Sequence, residues 1–582
     1  MEENKKSKIG IYLCRENGEI SDRIDLEEVA AFLRRFEDVI DVDIFDELSS
    51  KEGIDFLINK YLSKKFDRIL IGGAIPNIQG ETIRNALASA GMNKYLFEMI
   101  NLREQCAWVH PDKGEATKKA KSLMLGGLER VRRLKPLEDI TIPIKDSVLV
   151  IGGGVAGMAA ALEIAKAGHK VYLVEREKEL GGRAYKLATT FPTHNCGICC
   201  MQYCKECIFT PKIEDIERNP FIEVMLNTEV KEITGGFGNR HVKVVQNGNE
   251  KEFDVGAIVV ATGSKTFDPY RIPSYSYGMS KDIMTSMEFI DIMRHADITG
   301  VRRPSDGKIP KVINFVLCVG SRDKSKGNLH CSLVCCTYTI GIAKEVKKLH
   351  PETEVYIHYI DLRGPYRGFE EFYMDAREIG VRFIRGKVAE IIPENGKLII
   401  RAEDTDAGII LNIESDLVVL AVGQEPSEGA DRIAKMLHIQ TDIDNFMKDV
   451  NPMLPAHIRR GVYIAGCAQG PKGIRYSIDD AKSVAQEIIA LLDAGKINIE
   501  RITAKVNEDR CRGCGRCAEA CVFKAISLVP KDGRRVAVVD EYLCEGCGAC
   551  AAACCNKAMT ISHYEREQIE SIISSLVQEV EE

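Results

Sequence analysis

Val148-Leu-Val-Ile-Gly-Gly-Gly-Val-Ala-Gly157 is the stretch that sets the fold: a short apolar strand runs straight into a turn made of glycines. An Ala-rich helical run over residues 158–167 comes next, then a second strand at 170–174 that closes on Glu175. Strand, tight turn, helix and strand in this order open a dinucleotide-binding fold. Gly152 permits the turn, with Gly153 completing it. Gly154 lets the backbone approach a pyrophosphate, and Gly157 lets helix and strand pack closely. Phosphates are expected at the helix N-terminus, where unpaired N–H groups and the helix dipole favour an anion. Glu175, 23 residues beyond Gly152, is placed for a ribose hydroxyl.

Glu175 is trailed by Leu180-Gly-Gly-Arg183 and later by Ala257-Ile-Val-Val-Ala-Thr-Gly263. This pairing resembles the two-dinucleotide flavoproteins of the thioredoxin reductase and glutamate synthase small-chain type, and implies FAD at the first site. Gly182, Arg183 and Gly263 then join the cofactor-binding set. In those proteins the last FAD contact is a Gly-(Val/Ile)-(Phe/Tyr)-x-Ala-Gly-Asp run. Gly461-Val-Tyr-Ile-Ala-Gly-Cys467 matches it through Gly466, with Cys467 in place of the aspartate. Cys467 reads as a small buried residue at the flavin edge, or else as a redox thiol.

The totals agree with a multidomain soluble enzyme. The chain has 582 residues, enough for three or four domains, with 45% hydrophobic and 28% charged residues mixed along its length. A formal charge of −7 argues against nucleic-acid binding. The longest apolar runs, at 257–261 and 417–422, are strand-sized, so no membrane insertion is expected. The first ten residues lack the apolar core of a secretory signal, which points to the cytoplasm. In that reducing compartment the 21 cysteines are better read as metal ligands than as disulfides. Seventeen of them stand at ligand-like spacings in three dense groups.

In this fold a second, NAD-binding unit is nested inside the first, and its strands are expected at 312–317, 355–360 and 417–422. Its glycine fingerprint is absent: the critical turn reads Leu317-Cys-Val-Gly-Ser-Arg322. A pyridine nucleotide would lose its phosphate cradle there. Cys318 stands in the turn instead, followed by Cys331, Cys335 and Cys336. Cys335 and Cys336 could form a redox pair beside the flavin, but four thiolates around one [4Fe–4S] cluster account for Cys318 and Cys331 as well.

Cys511-x2-Cys514-x2-Cys517-x3-Cys521 is repeated 33 residues later as Cys544-x2-Cys547-x2-Cys550-x3-Cys554. This is the bacterial two-cluster ferredoxin spacing, in which the fourth cysteine of each run ligates the other cluster. Two [4Fe–4S] clusters are therefore expected here, although Val522 and Cys555 replace the usual proline. A third group follows the Gly-Gly-Arg turn, with Cys196, Cys199, Cys204 and Cys207 as its natural four and Cys200 able to replace Cys199. It could hold another [4Fe–4S] cluster or a structural zinc.

The fold expected is α/β, a thioredoxin reductase-like two-dinucleotide-binding-domain flavoprotein with an N-terminal α/β domain and a C-terminal two-cluster ferredoxin domain. The divisions fall at 1–144 (α/β domain, with Cys14 and Cys106 but no cluster) and 145–300 (first part of the FAD domain, with a Cys-rich insert at 183–222). Then come 301–426 (degenerate NAD-type domain carrying a cluster), 427–500 (second part of the FAD domain) and 501–582 (ferredoxin domain and C-terminal helix). In that last helix Ile569, Ile572, Ile573, Leu576, Val577 and Val580 share a face, which docks on its own protein or on a partner.

Together these features resemble the A-type subunits of heterodisulfide reductase over essentially the whole chain. Asn101-Leu-Arg-Glu-Gln-Cys-Ala-Trp-Val-His110, Cys331-Ser-x-x-Cys-Cys336, Glu370-Glu-Phe-Tyr373 and Ala465-Gly-Cys-Ala-Gln-Gly-Pro471 carry the likeness beside the FAD turn. It implies an oxidoreductase component of a larger complex, with ferredoxin among its partners, that splits electron pairs and in some members bifurcates them. It also implies that Cys318, Cys331, Cys335 and Cys336 hold the cluster nearest the flavin. Three departures stand out. Arg15-Glu-Asn-Gly18 and Gly72-Gly-Ala-Ile-Pro76 replace the N-terminal cysteine motifs of many members, and the inserted ferredoxin domain of some is reduced to the short group at Cys196. Gly341 replaces a lysine near the flavin; Lys344, one turn on, is the candidate substitute. A cation there would stabilise the anionic flavin. Without one, a passive relay is the competing reading, and a free-standing NAD(P)H oxidoreductase is the third. No catalytic acid, base or nucleophile stands out.

Overall fold

The strand ahead of the glycine turn, Ser147–Ile151, pairs in parallel with Lys170–Val174 on one side and Ala257–Val260 on the other. This is the arrangement a dinucleotide-binding unit requires. The computed structural model describes residues 7–186, 213–326, 328–364, 367–448 and 457–577. They fall into two units, one formed from the two ends of the chain, up to Ile140 and from Asn498, the other from Thr141–Ile497.

The central unit holds two parallel sheets. The first runs in the order His457–Arg459, Val462–Ile464, Ala257–Val260, Ser147–Ile151, Lys170–Val174, Ile222–Met225. Only its edge pair, His457–Arg459 with Val462–Ile464, is antiparallel. Helices Val155–Lys166 and Ile474–Ala494 pack against each other beside it. The second sheet runs Ile283–Thr285, Leu417–Val422, Val312–Val319, Glu354–Tyr359, Val381–Arg385. Every residue of Leu417–Val422 is buried, because a parallel strand covered on both faces must be apolar on both. The strand expected at 312–317 runs on to Val319, so Cys318 lies within it. Three-stranded antiparallel sheets, Thr228–Val255 and Val388–Ser415 in extent, accompany the two parallel ones.

The other unit contains a four-stranded parallel sheet in the order Val39–Phe45, Ile9–Cys14, Arg68–Gly73, Phe97–Asn101. Its helix Lys113–Arg132 starts at Asp112, whose carboxylate accepts the Glu115 N–H at 2.9 Å. The cysteine-rich module follows, with strand pairs Ala504–Val506/Met559–Ile561 and Ile526–Lys531/Arg534–Val539 and short helices Arg516–Ala520 and Ala549–Ala553.

The stretches expected as the N-terminal and ferredoxin domains both lie in this unit and pack on one another. The last helix, Arg566–Val577, lies along Lys113–Arg132. Gly126 leaves room for it: a Cβ there would stand 3.4 Å from Ile572 Cγ2. Gln568 Nε2 donates to the Arg133 carbonyl at 2.9 Å, and Lys135 pairs with Glu565 at 2.7 Å. The apolar stripe therefore docks on its own protein through Ile572 and Leu576, while Ile569, Ile573 and Val577 remain exposed. Val580 lies outside the described residues, as do Cys196, Cys199, Cys200, Cys204 and Cys207. Among the described residues no helix is long and apolar enough to cross a membrane.

Candidate functional site

A cavity of about 770 Å³ opens in the central unit, walled by the glycine turn, the first residues after Glu175, the Cys335 helix and the segment at Cys467. That volume is ample for a large cofactor. The turn is close-packed: Gly152 has φ +109°, and a Cβ on Gly157 would fall 1.8 Å from the Gly152 carbonyl oxygen. The helix Val155–Lys166 can therefore begin directly behind the turn, and its first N–H groups have no partners within the helix. Glu175 is buried; its carboxylate accepts the Gly153 N–H at 2.6 Å and the Glu177 N–H at 2.9 Å. Lone pairs remain for a ribose hydroxyl. Of the residues singled out in the sequence, Gly152, Gly154, Glu175, Gly182, Arg183, Gly263 and Cys467 line the cavity. Gly153, Gly157 and Gly466 do not; they shape the backbone behind it.

The wall is chemically incomplete without a ligand. Among the described residues Thr262 Oγ1, Thr337 Oγ1 and Ser427 Oγ are buried hydroxyl oxygens without hydrogen-bond partners, and all three residues line the cavity. Buried polar groups in that state call for a polar occupant. Arg183 donates to Ser264 Oγ at 2.6 Å and has no ion pair with a carboxylate among the described residues. Burial lowers its pKa, with Cys467 and Tyr338 as its charged-state neighbours. A guanidinium held this way suits an anionic or strongly accepting group. These features fit FAD: amides for phosphate, a carboxylate for ribose, free hydroxyls and a buried cation. Thr337, Tyr338 and Ser427 were not found from sequence, where single Ser, Thr or Tyr residues carry no pattern; Thr262 could have been noted from Ala261-Thr-Gly263.

Gly341 lines the cavity as expected, but Lys344 does not replace the missing lysine. Its Nζ pairs with Asp375 on the neighbouring helix Phe369–Glu378. Cys467 is half-buried, and its thiol donates to the Lys472 carbonyl at 3.4 Å.

In the degenerate NAD-type region, the turn after Val312–Val319 is packed against an aromatic ring. A Cβ on Gly320 would meet the Phe267 ring at 2.2 Å, so the loop is sealed by that ring. Cys318 sits at the end of its strand, with φ +59°, and Cys335 and Cys336 open the helix Cys335–Leu349. These three thiols are buried and Cys331 is half-buried. Cys335 lies within hydrogen-bonding reach of both Cys318 and Cys336, with one proton to offer between them. That contact draws Cys318 and Cys336 below the ordinary thiol value and drives Cys335 above it. Burial raises Cys331, against a Leu333 N–H that donates to its sulfur at 3.3 Å. Ser321 and Ser332 hydroxyls, 2.6 Å apart, tie the turn to the cysteine loop. The quartet therefore comes together as one group of mutually influencing thiols. The same helix shows its Thr337, Tyr338, Gly341 and Ile342 to the cavity. One helix thus borders both sites.

In the terminal module Cys521 lines a small cavity with Cys544, Cys547 and Cys550, rather than with its own run. Cys517 has Cys511 and Cys554 as its neighbours. The crossing of the fourth cysteines expected from spacing is thus the arrangement found. Backbone N–H groups of Ala537, Ala525, Ala504 and Ala558 donate to the sulfurs of Cys511, Cys521, Cys544 and Cys554 at 3.2–3.4 Å. Such bonds suit thiolates carrying charge. Among the described residues no three Cys, His, Asp or Glu side chains draw up around a single-ion point. In a four-iron cube each thiolate meets a different iron, so its sulfurs stand farther apart than those around one ion. Cys14 and Cys106 are isolated and buried, each in its own hydrogen bonds.

Residues 146–303 match the family described as pyridine nucleotide-disulphide oxidoreductase, and residues 510–558 match the 4Fe-4S dicluster domain. The chain is 36% identical to the first A-type iron-sulfur subunit of CoB--CoM heterodisulfide reductase from Methanopyrus kandleri, over 99% of this chain and 99% of that protein. It is 33% identical to the A-type subunit of H(2):CoB-CoM heterodisulfide,ferredoxin reductase from Methanothermobacter marburgensis, over 91% of this chain and 92% of that one. Thioredoxin reductase of Lactococcus lactis superposes with a TM-score of 0.42 at 17% identity, covering 60% of this chain and all of that one. The chain is an oxidoreductase with FAD and [4Fe–4S] clusters as cofactors, and it belongs to the family of heterodisulfide reductase A-type subunits.

Proposed function

We propose that this chain is the FAD and iron–sulfur electron-transfer subunit of a cytoplasmic heterodisulfide-reductase-like complex, in which pairs arriving at the FAD cavity leave as single electrons. The observation that carries this is the helix Cys335–Leu349, which has Cys335 and Cys336 of the thiol quartet at its start and the cavity wall along its next turns. Bound FAD supplies the chemistry that exchanges electrons in pairs or singly. Around it, the glycine turn and Glu175 hold the nucleotide end, Arg183 presents a buried positive charge, and Tyr338 stands between cavity and quartet. The cysteines at 318, 331, 335 and 336 hold one cluster, and the eight of the terminal module hold two. Other subunits of such a complex are the partners, with ferredoxin among them, as the name of the Methanothermobacter relative includes it. The finer form of the reading is bifurcation, in which the two electrons go to acceptors of different potential.

The test is anaerobic potentiometry of the purified protein, following flavin absorbance and paramagnetic resonance together. A single two-electron flavin wave is expected. A half-reduced flavin persisting over a broad range of potential would remove bifurcation and leave a single-electron relay. Rapid bleaching of the isolated protein by NAD(P)H would instead favour a free-standing oxidoreductase. The sealed turn at Gly320 and Phe267 opposes that outcome.

A further inference from the structure

The two cysteine runs of the terminal module match in loop backbone and ligand placement and differ most in charge. Gly513 and Gly546 have φ +62° and +63°, Gly515 and Gly548 +84° and +80°, and each loop leads into a five-residue helix. Each thiol set receives two backbone N–H bonds, at Cys511 and Cys554 in one and at Cys521 and Cys544 in the other. Cys514 and Cys547 are exposed at equivalent places. Cluster type, ligand chemistry, sulfur hydrogen bonding and exposure are the usual determinants of potential besides charge. Here they cancel between the two halves.

The charges do not cancel. Arg512 stands between Cys511 and Cys514, where the second loop has Glu545 between Cys544 and Cys547; Arg516 is matched by Ala549 and Arg510 by Leu543. Residues 507–524 carry four basic and three acidic side chains, and residues 540–557 one basic and three acidic. The acids of the first half include Glu508, paired with Lys531, and Glu519 on the helix; in the second, Glu541 pairs with Arg501. Arg534 adds to the first half, its guanidinium donating to the Cys511 carbonyl at 3.4 Å. The second half folds without these arginines, so cluster binding does not require them. Reduction makes a cluster more negative, so a nearby cation favours the reduced form and an anion disfavours it. The loop charges are exposed and therefore screened. Arg512 and Glu545 nevertheless flank their ligands directly, well inside a Debye length of about 10 Å at 0.1 M salt.

We propose that Arg512, Arg516 and Glu545 hold the two clusters at different potentials, the one at Cys511, Cys514, Cys517 and Cys554 being the higher. An electron delivered to the module then rests on that side. The inference rests on the reading of the two cysteine runs as cluster ligands. The expected preference is at least about tenfold, which is 59 mV for a one-electron couple.

The experiment is potentiometry of the full holoprotein followed by paramagnetic resonance, with iron content measured first. The wild type is compared with Arg512→Glu, Glu545→Arg and the double exchange. Arg512→Glu is expected to lower the higher midpoint of the module and leave the lower one, Glu545→Arg to raise the lower one, and the double exchange to close or invert the gap. Coincident midpoints in the wild type, or a shift of the lower midpoint by Arg512→Glu, would overturn the proposal. A merely structural role for either residue moves no midpoint in these opposite directions. Should a reversed loop lose its cluster, Arg512→Gln and Glu545→Gln remove the charges alone and must give the same signs. Wild-type iron too low for both clusters would count against the ligand reading; full iron with unmoved midpoints would count against the charges.

Discussion

Lys344 Nζ stands 3.3 Å from Asp375 Oδ2 and 4.6 Å from the centre of the Phe372 ring, one turn past Gly341 on the helix that walls the cavity. The charge is committed to a neighbouring helix, away from the cofactor. Lys344→Met is therefore expected to leave the flavin midpoint where it is. Its cost in stability should be no more than about 1 kcal/mol, because the Asp375 end of the pair is exposed. Gly341→Lys puts a cation on the wall itself and should raise the midpoint by favouring the anionic reduced form. Spectroelectrochemistry on both variants checks this; a fall with Lys344→Met is the contrary result.

Arg183 carries the opposite expectation. Its guanidinium is bonded to Ser264 and otherwise faces the cavity, so Arg183→Met removes a charged donor that the cofactor would use. A charge-assisted bond contributes about 1.5–3 kcal/mol, which is roughly a ten- to hundredfold loss of FAD affinity. Fluorescence of released FAD on dilution measures it. Retention equal to the wild type would leave Arg183 without a role toward the cofactor.

Two lone thiols, Cys14 on a strand of the four-stranded sheet and Cys106 in the helical turn Arg103–Ala107, separate cluster ligands from ordinary cysteines. Burial pushes Cys14 up to about 12 and Cys106 up to about 11, so both stay protonated at neutral pH, unlike metal-bound thiolates. Cys14→Ala with Cys106→Ala should keep the full iron content. The loss of the Cys14 bond to the buried Glu16 carboxylate should cost roughly 1–3 kcal/mol. Cys335→Ala should remove one cluster's iron and its paramagnetic signal. Iron analysis and thermal melts distinguish the two.

How much of this was legible in sequence follows from range. The glycine turn and the ferredoxin runs are local, their geometry set by glycines and cysteines a few residues apart, so spacing sufficed. The sealing of the Gly320 turn was legible only as a missing fingerprint, because Phe267 arrives from 53 positions upstream. Lys344 was misplaced for a similar reason: helical periodicity put it one turn from Gly341, but Asp375 on another helix decides where it points. Arg183 near Tyr338 and Cys467 joins three distant segments. Thr337 and Ser427 have no pattern to betray them. The stripe at Ile569–Val577 was found as a face, while the portion covered depended on Gly126, far away in the chain.

A pH dependence follows from His358, buried in the strand beside Val312–Val319, where its Nε2–H donates to Asn314 Oδ1 at 2.9 Å. Burial lowers its pKa from 6.5 to about 4. As pH falls, the unfolded chain takes up the proton near 6.5 and the folded chain only near 4. Stability is thus intact above 6.5, is lost progressively down to about 4, and falls no further from this group. The loss is roughly 3 kcal/mol at most, at 1.36 kcal/mol per pKa unit. Denaturant midpoints at pH 7 and pH 5 should converge in His358→Gln relative to wild type. An unchanged gap would assign the acid sensitivity to other groups.

The pairing of helices Lys113–Arg132 and Arg566–Val577 also sets a clock on biogenesis. Arg130 donates to the carbonyl of His563, 433 residues further along the chain. At a synthesis speed of about 5–20 residues per second, the helix Lys113–Arg132 waits roughly 20–90 s on the ribosome for its cover. Throughout that interval the groove at Gly126, which Ile572 and Leu576 later fill, is open to any other greasy surface in the cell. The nascent N-terminal sheet therefore carries an uncovered apolar groove until Ile572 and Leu576 emerge.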